Sequence, residues 1–211
     1  MAEKRAEGRT YRPFTALMKD GEEKEISIDM AKGDQLRVMV VVMKKLREWI
    51  DCALSSDPER AKAFKPLRMT LRGSAGAGKS FFIKCLCNTV TEVFGGNNVV
   101  EVAGPTGASA CNVGGETLHR KWAINPHNPQ REPGDSALQK LRRAFMRTLV
   151  IIVDERSMLT TDVVGAAERN TSMTAHGGSP DKEDWGGVPV VIFVGDDYQL
   201  PPPTKKRELL I

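Results

Sequence analysis

The stretch Leu71-Arg-Gly-Ser-Ala-Gly-Ala-Gly-Lys-Ser80 holds three glycines and two alanines in ten positions, too little side-chain volume to build a core. Within it, Gly73 to Ser80 fits the pattern G-x-x-x-x-G-K-[ST]. That pattern carries chemistry only between a strand and a helix. Residues 67–71, LRMTL, read as a short strand, and a helix is predicted from Lys79 to about Phe94, so the context is met. A bare backbone lets a polyphosphate approach closely while successive N–H groups turn inward as an anion nest. The positive end of the following helix adds to the attraction. Gly73, Ser74, Ala75, Gly76, Ala77 and Gly78 are the expected cradle, and Phe81 ends the nucleotide-contacting run. Lys79 is expected on the β- and γ-phosphates and Ser80 on Mg²⁺.

Working outward, strands and helices alternate. GGNN (95–98) makes a turn, and NVVEVA (98–103) is a second strand followed by GPTG. A polar stretch, AINPHNPQREPGDS (123–136), leads to a helix predicted over Ala137 to Thr148. LVIIVDE (149–155) and VPVVIFVGDD (188–197) are apolar, β-branched runs, as expected of strands buried on both faces. Between them fall a helix from Thr160 to Asn170 and a flexible loop over 171–187. This order predicts an α/β fold with a mainly parallel sheet flanked by crossover helices.

Before the loop, Leu36, Met39, Val42, Met43, Leu46, Trp49, Ile50 and Ala53 recur at helical spacing, giving an amphipathic helix capped by Asp34. Residues 55–66 read as a connector, and residues 1–33, polar and aperiodic, as a flexible N-terminal arm preceding a domain over 34–211. The 211 residues suffice for one well-buried α/β domain. No membrane partner is expected, because the longest apolar run, Val38 to Met43, is too short for a bilayer. The opening MAEKRAEGRT has no apolar signal core, and Glu3 and Glu7 fit a transit peptide poorly. Cys85 and Cys87 are one residue apart, a spacing that suits neither a zinc ribbon nor a redox pair; Cys52 and Cys111 stand alone. Free thiols in an intracellular, reducing compartment follow. A net charge of +4 permits a polyanionic partner without demanding one.

Asp154 and Glu155 end the strand LVIIV. An acidic pair there often caps the next helix, yet parallel sheets carry their sites at the carboxyl ends of strands. Beside a phosphate loop, Asp154 suits the Mg²⁺ shell. Glu155 is then free to orient and deprotonate an attacking water. Hydrolysis is favoured over transfer to another acceptor.

Three further segments say what hydrolysis drives: VAGPTGASACNVGGETLHRKW (102–122), IIVDERSML (151–159) and WGGVPVVIFVGDDYQLPPP (185–203). Together with the phosphate loop, these resemble the Pif-type, RecD-like DNA helicases of superfamily one, over roughly Gln35 to Pro203. The resemblance implies a RecA-like P-loop NTPase with ATP and Mg²⁺ as cofactors and single-stranded DNA as partner. It implies that Gln35 reads the adenine, although the residues around it differ from the family's usual L-x-x-x-Q. Gln199 matches the glutamine that senses the γ-phosphate, so Lys79, Glu155 and Gln199 form the implied catalytic set. Pro105, Thr106 and Gly107 match the loop that touches the DNA backbone, and Thr117 and His119 fall in the neighbouring DNA-contacting block. A hydroxyl, a turn and exposed N–H groups position a strand without reading its sequence. Trp122 is expected in the core, and Arg142, Arg143 and Arg147 on a solvated helix face.

Four positions depart from the family pattern. Arg156 takes an apolar position of DE-x-SM, Asp197 replaces the aromatic of GDF, Trp185 stands for Phe in FGG, and Gly104 begins the APTG block. Such a motor works with two RecA-like domains, and the second is expected to be missing from this chain, which ends soon after the third block. A kinase or loader ATPase, and a remnant that binds nucleotide or DNA without turnover, remain as alternatives. Roles in repair, recombination or telomere maintenance, and a nuclear or mitochondrial location, are implied by the resemblance alone.

Overall fold

In the computed structural model, residues 13–18, 21–57, 59, 63–96, 98–175 and 184–199 are described. Five strands form one sheet: β3 (Leu67–Arg72), β4 (Val100–Gly104), β5 (Glu116–Thr117), β6 (Val150–Val153) and β7 (Val190–Gly195). Their order is β3-β7-β6-β4-β5, and every pairing is parallel. Because every pairing is parallel, the strands are joined by crossovers rather than hairpins, and helices flank the sheet. These are α1 (Asp34–Ala53), α2 (Lys79–Phe94), α3 (Gly107–Asn112), α4 (Leu118–Lys121), α5 (Asp135–Phe145) and α6 (Thr161–Ser172).

Alternation along the strands builds a core on each face. Val150 and Ile152 of β6 pack with Ile192 and Val194 of β7 against Met39, Val42 and Leu46 of α1 and Phe82, Ile83, Leu86 and Val90 of α2. The intervening Ile151, Val153 and Val191 meet Trp122, Leu141, Phe145, Ala166 and Ala167 on the other face. Both faces of β6 are buried throughout, which is why it reads as a continuous apolar run.

Trp122 is fully buried, stacks on Phe145 with centroids 5.4 Å apart, and meets the edge of Trp185. Its Nε1 donates to Thr171 Oγ1 at 2.7 Å. Trp122→Ala removes the ring and leaves that hydroxyl short of a donor. The expected cost is about 3–5 kcal/mol, or roughly 10 °C in Tm for a chain of this size, read by thermal denaturation.

All four cysteines are free; Cys85 and Cys87 are buried, Cys52 half-buried and Cys111 exposed. Burial first, then the Glu101 carboxylate, pushes the Cys87 thiol up to about 12. At pH 8 its thiolate is therefore on the order of one part in 10⁴. A thiol-reactive chromophore should modify Cys111 in the native protein and reach Cys85 and Cys87 only after denaturant is added.

Three expectations are corrected. Asp34 does not cap α1 but is its first residue; Gly33, at φ 53°, precedes it with no side-chain cap. The stretch taken as a flexible arm up to residue 33 is structured where it is described. Strands β1 (Thr15–Leu17) and β2 (Glu23–Glu25) form an antiparallel hairpin, followed by a short 3₁₀ turn over Ile28–Met30. Ile26 and Ala31 belong to the α1–α2 core. Asn88 of α2 fastens this segment, donating to the carbonyls of Phe14 (3.0 Å) and Ile26 (2.7 Å) and accepting from Phe14 N–H (2.9 Å). The segment was misread because its contacts lie 62 to 74 residues away, beyond any local periodicity. Residues 1–12, residues 176–183 of the 171–187 loop, and Leu200 to Pro203 lie outside the described residues; the described ends of that loop are packed and not flexible, with Thr171 and Ser172 closing α6 and Trp185 buried.

Candidate nucleotide and DNA site

All five parallel strands end on one rim, and every candidate nucleotide- or DNA-contacting residue apart from Gln35 lies on a segment leaving that rim. The loop 73–78 leaves β3; Gly76 and Gly78 have φ of 79° and 81°, left-handed values that glycine adopts without a Cβ clash. Lys79 Nζ donates to the carbonyls of Gly73 (2.8 Å) and Ser74 (3.1 Å), closing the loop on its own lysine. Ser80, in the first turn of α2, is exposed.

Gln35 reaches the loop from α1: its Nε2 donates to the Gly78 carbonyl at 3.3 Å. A Cβ on Gly78 would collide with that same amide. The two line a cleft of about 160 Å³ with Asp34, Leu71, Arg72, Gly73, Ala77, Lys79 and Phe82. Phe82 lines this cleft, whereas the Phe81 side chain packs against the core. Phe81, expected to end the nucleotide-contacting run, thus turns its side chain into the core, and Phe82 takes the place on the cleft wall. Asp34, Leu71, Arg72 and Phe82 were not anticipated; only Leu71 and Arg72, abutting the motif, offered any local signal.

Asp154 and Glu155 leave β6, next to β7 and one strand removed from β3. Asp154 is buried, and its Oδ1 finds no hydrogen-bond partner among the described residues. Burial raises its carboxyl above the ordinary value; the Glu155 charge adds to the rise, while the Glu155 N–H and the Lys79 ammonium oppose it. An orphaned, desolvated carboxylate oxygen close enough to feel Lys79 is a fit for a divalent cation, which would supply the missing partner. Glu155 itself has φ 54° and ψ 49°. A left-handed non-glycine costs of order 1–3 kcal/mol, a strain found where geometry serves function.

From β7, Asp196 closes a turn: its carboxylate accepts from Tyr198 N–H at 3.0 Å and its carbonyl from Gln199 N–H at 3.2 Å. The turn that carries Gln199 follows Gly195, whose carbonyl accepts from the Gly73 N–H of the loop at 3.1 Å. The two charged departures meet here, because Arg156 Nη2 pairs with Asp197 Oδ1, while Arg72 Nε lies 3.2 Å from Asp197 Oδ2.

Pro105, Thr106 and Gly107 leave β4, with Thr106 and Gly107 exposed. Thr106 Oγ1 accepts from Ser109 N–H at 3.2 Å, forming a capping box on α3. Thr117 ends β5 and precedes α4, which carries a half-buried His119. His119 lines a separate open cleft of about 480 Å³ with Arg120 and Arg131. Trp185, the aromatic departure, is buried between Trp122 and Phe193, a core position that either aromatic fills. Gly104 lies where a Cβ would stand 2.5 Å from Ser109 Oγ, so the glycine makes room for the cap.

A five-stranded parallel sheet between helices, with a phosphate loop after its first strand and an acidic pair after its centre, defines a RecA-like P-loop NTPase. The sequence profile of the PIF1-like helicases matches residues 54–209, and the chain belongs to that family. It is 30% identical over 139 residues to the ATP-dependent DNA helicase RRM3 of Saccharomyces cerevisiae, covering 64% of this chain and 18% of that protein. With the ATP-dependent DNA helicase PIF1 of Emericella nidulans it shares 31% over 134 residues, 62% of this chain and 17% of that one. A Bacteroides Pif1 helicase crystallised with ADP-AlF3 and single-stranded DNA superposes with a TM-score of 0.55 at 27% identity, covering 84% of this chain and 34% of that one. The chain thus spans about a fifth of the length of these curated relatives. None of the helices among the described residues is long and apolar enough to cross a membrane.

Proposed function

We propose that this chain is the first RecA-like motor domain of an ATP-dependent DNA helicase. In this reading, ATP hydrolysis drives travel along single-stranded DNA and strand separation in repair, recombination or telomere maintenance. The observation that carries it is the gathering of the phosphate loop, the acidic pair and the Gln199 turn on one rim, with the Pro105–Gly107 turn on the same edge.

ATP displaces the Gly73 and Ser74 carbonyls from Lys79, whose ammonium then holds the β- and γ-phosphates. Gln35, already anchored on Gly78, faces the adenine end. Ser80 and Asp154 would hold Mg²⁺, which offsets charge on the phosphate oxygens. Glu155 takes the proton of a water attacking the γ-phosphorus, the bond to the β-γ bridging oxygen breaks, and ADP leaves with phosphate. Gln199 registers the loss of the γ-phosphate. The exposed Thr106 and Gly107 with Thr117 and His119 follow the DNA backbone. A second RecA-like domain is the partner this reading needs, since an arginine supplied from outside contributes on the order of 10³–10⁵ in rate. Nucleus or mitochondrion is the corresponding location in a eukaryote.

The test measures ATP binding and hydrolysis by the 211-residue chain with and without oligo-dT. Weak, Mg²⁺-dependent binding and slow turnover that rises with DNA are expected. Hydrolysis indifferent to DNA would assign another P-loop enzyme, and tight ATP binding without turnover would assign a remnant.

A further inference from the structure

Asp197 replaces an aromatic and Arg156 an apolar residue of the family pattern, 41 positions apart, and the two pair. The Arg156 side chain is 11% exposed. Its Nε has no hydrogen-bond partner among the described residues. A guanidinium this desolvated needs a counter-charge, and Asp197 Oδ1 supplies it. Arg156 also lies flat on β7: a Cβ on Gly195 would stand 2.8 Å from Arg156 Cγ and 3.0 Å from its backbone nitrogen. The second oxygen of Asp197 holds Arg72, which is 65% exposed on its side chain and lines the nucleotide cleft beside Gly73. One carboxylate therefore ties together the residue before the phosphate loop, the residue after Glu155, and the turn that carries Gln199 two positions on.

We propose that Asp197, clamped by Arg156 and Arg72, is a positioning residue that fixes the Gln199 turn against the phosphate loop and so sets the preference for nucleotides with a γ-phosphate. The inference rests on the nucleotide-site reading above. At this junction the chain uses an ion pair. Neither arginine is required to touch the reacting atoms. The clamp acts through the register of the turn, so its loss falls on γ-phosphate recognition and not on the adenine end, where Gln35 lies.

Asp197→Asn, Arg156→Met and the double variant test this through affinities for ADP and for a non-hydrolysable ATP analogue, with kcat and KM of ATPase alongside. Each single variant is expected to weaken the analogue about tenfold, leave ADP within twofold, and lower kcat more than it raises KM. The double variant should cost no more than the worse single, because both break one tie. Should Asp197→Asn, which orphans a buried cation, fail to fold by circular dichroism, Arg156→Met carries the same comparison with that cation removed. Equal losses for ADP and analogue, no loss for either, or additive losses in the double variant would overturn the proposal. A wild-type chain that binds neither nucleotide would instead overturn the nucleotide-site reading itself.

Discussion

Lys79→Ala is expected to reduce ATP turnover by at least on the order of 10²–10³, the loss seen when one preorganised donor is removed from developing charge. Nucleotide affinity should fall as well, roughly ten- to a hundredfold, as for a lost hydrogen bond to a charged group. The loop should survive. Its shape is set by Gly76 and Gly78 in left-handed geometry and by the Gly73–Gly195 backbone bond, and Lys79 only bridges two of its carbonyls. The measurement pairs calorimetric titration of ATP·Mg²⁺ with steady-state hydrolysis, at matched thermal stability. Unchanged ATP affinity in a folded variant would remove Lys79 from the phosphate site and the nucleotide reading with it.

Glu155→Gln is the second large effect, and it separates binding from chemistry. An amide cannot accept the proton of the attacking water, so hydrolysis should drop about 10²–10⁴-fold, while affinity for ATP stays within a few-fold. Asp154→Asn behaves differently. Its carboxyl is raised by burial. A folded-state value above the unfolded one means that the charged form costs stability at neutral pH, a cost relieved as pH falls through the raised value. The near-isosteric amide lifts that cost, so the variant should melt no lower than wild type, and higher in the absence of Mg²⁺. Its hydrolysis should nonetheless be lost together with its Mg²⁺ dependence. A more stable but inactive variant is the mark of a carboxylate kept for function.

The phosphate loop and its flanking elements could be read locally, because the motif, the strand before it and the helix after it occupy fewer than thirty consecutive residues. The α2 helix over Lys79–Phe94 follows the expected span. The central strands were legible for a related reason: β6 and β7 are apolar on both faces. Helix ends were less so, since α5 begins at Asp135 and closes at Phe145, ahead of the bounds drawn from periodicity. Strand β5 is two residues long, too short to alternate. What the chain order hides is long-range pairing. Arg156 and Asp197 each stand out alone as misplaced charge, and only the adjacency of β6 and β7 turns them into a pair. Arg72 joined them unseen, because nothing in its neighbourhood speaks of a partner 125 positions later.

The hold of Asn88 on the N-terminal hairpin bears on how the molecule can be dissected. Beginning an expressed fragment at the long first helix, the natural reading of the periodicity, would strip Ile26 and Ala31 from a shared interior and strand an amide with two carbonyls and an N–H withdrawn. The smallest piece expected to melt as a single cooperative unit therefore reaches back at least to Phe14, and the hairpin belongs to the domain's frame as fully as the helix that holds it.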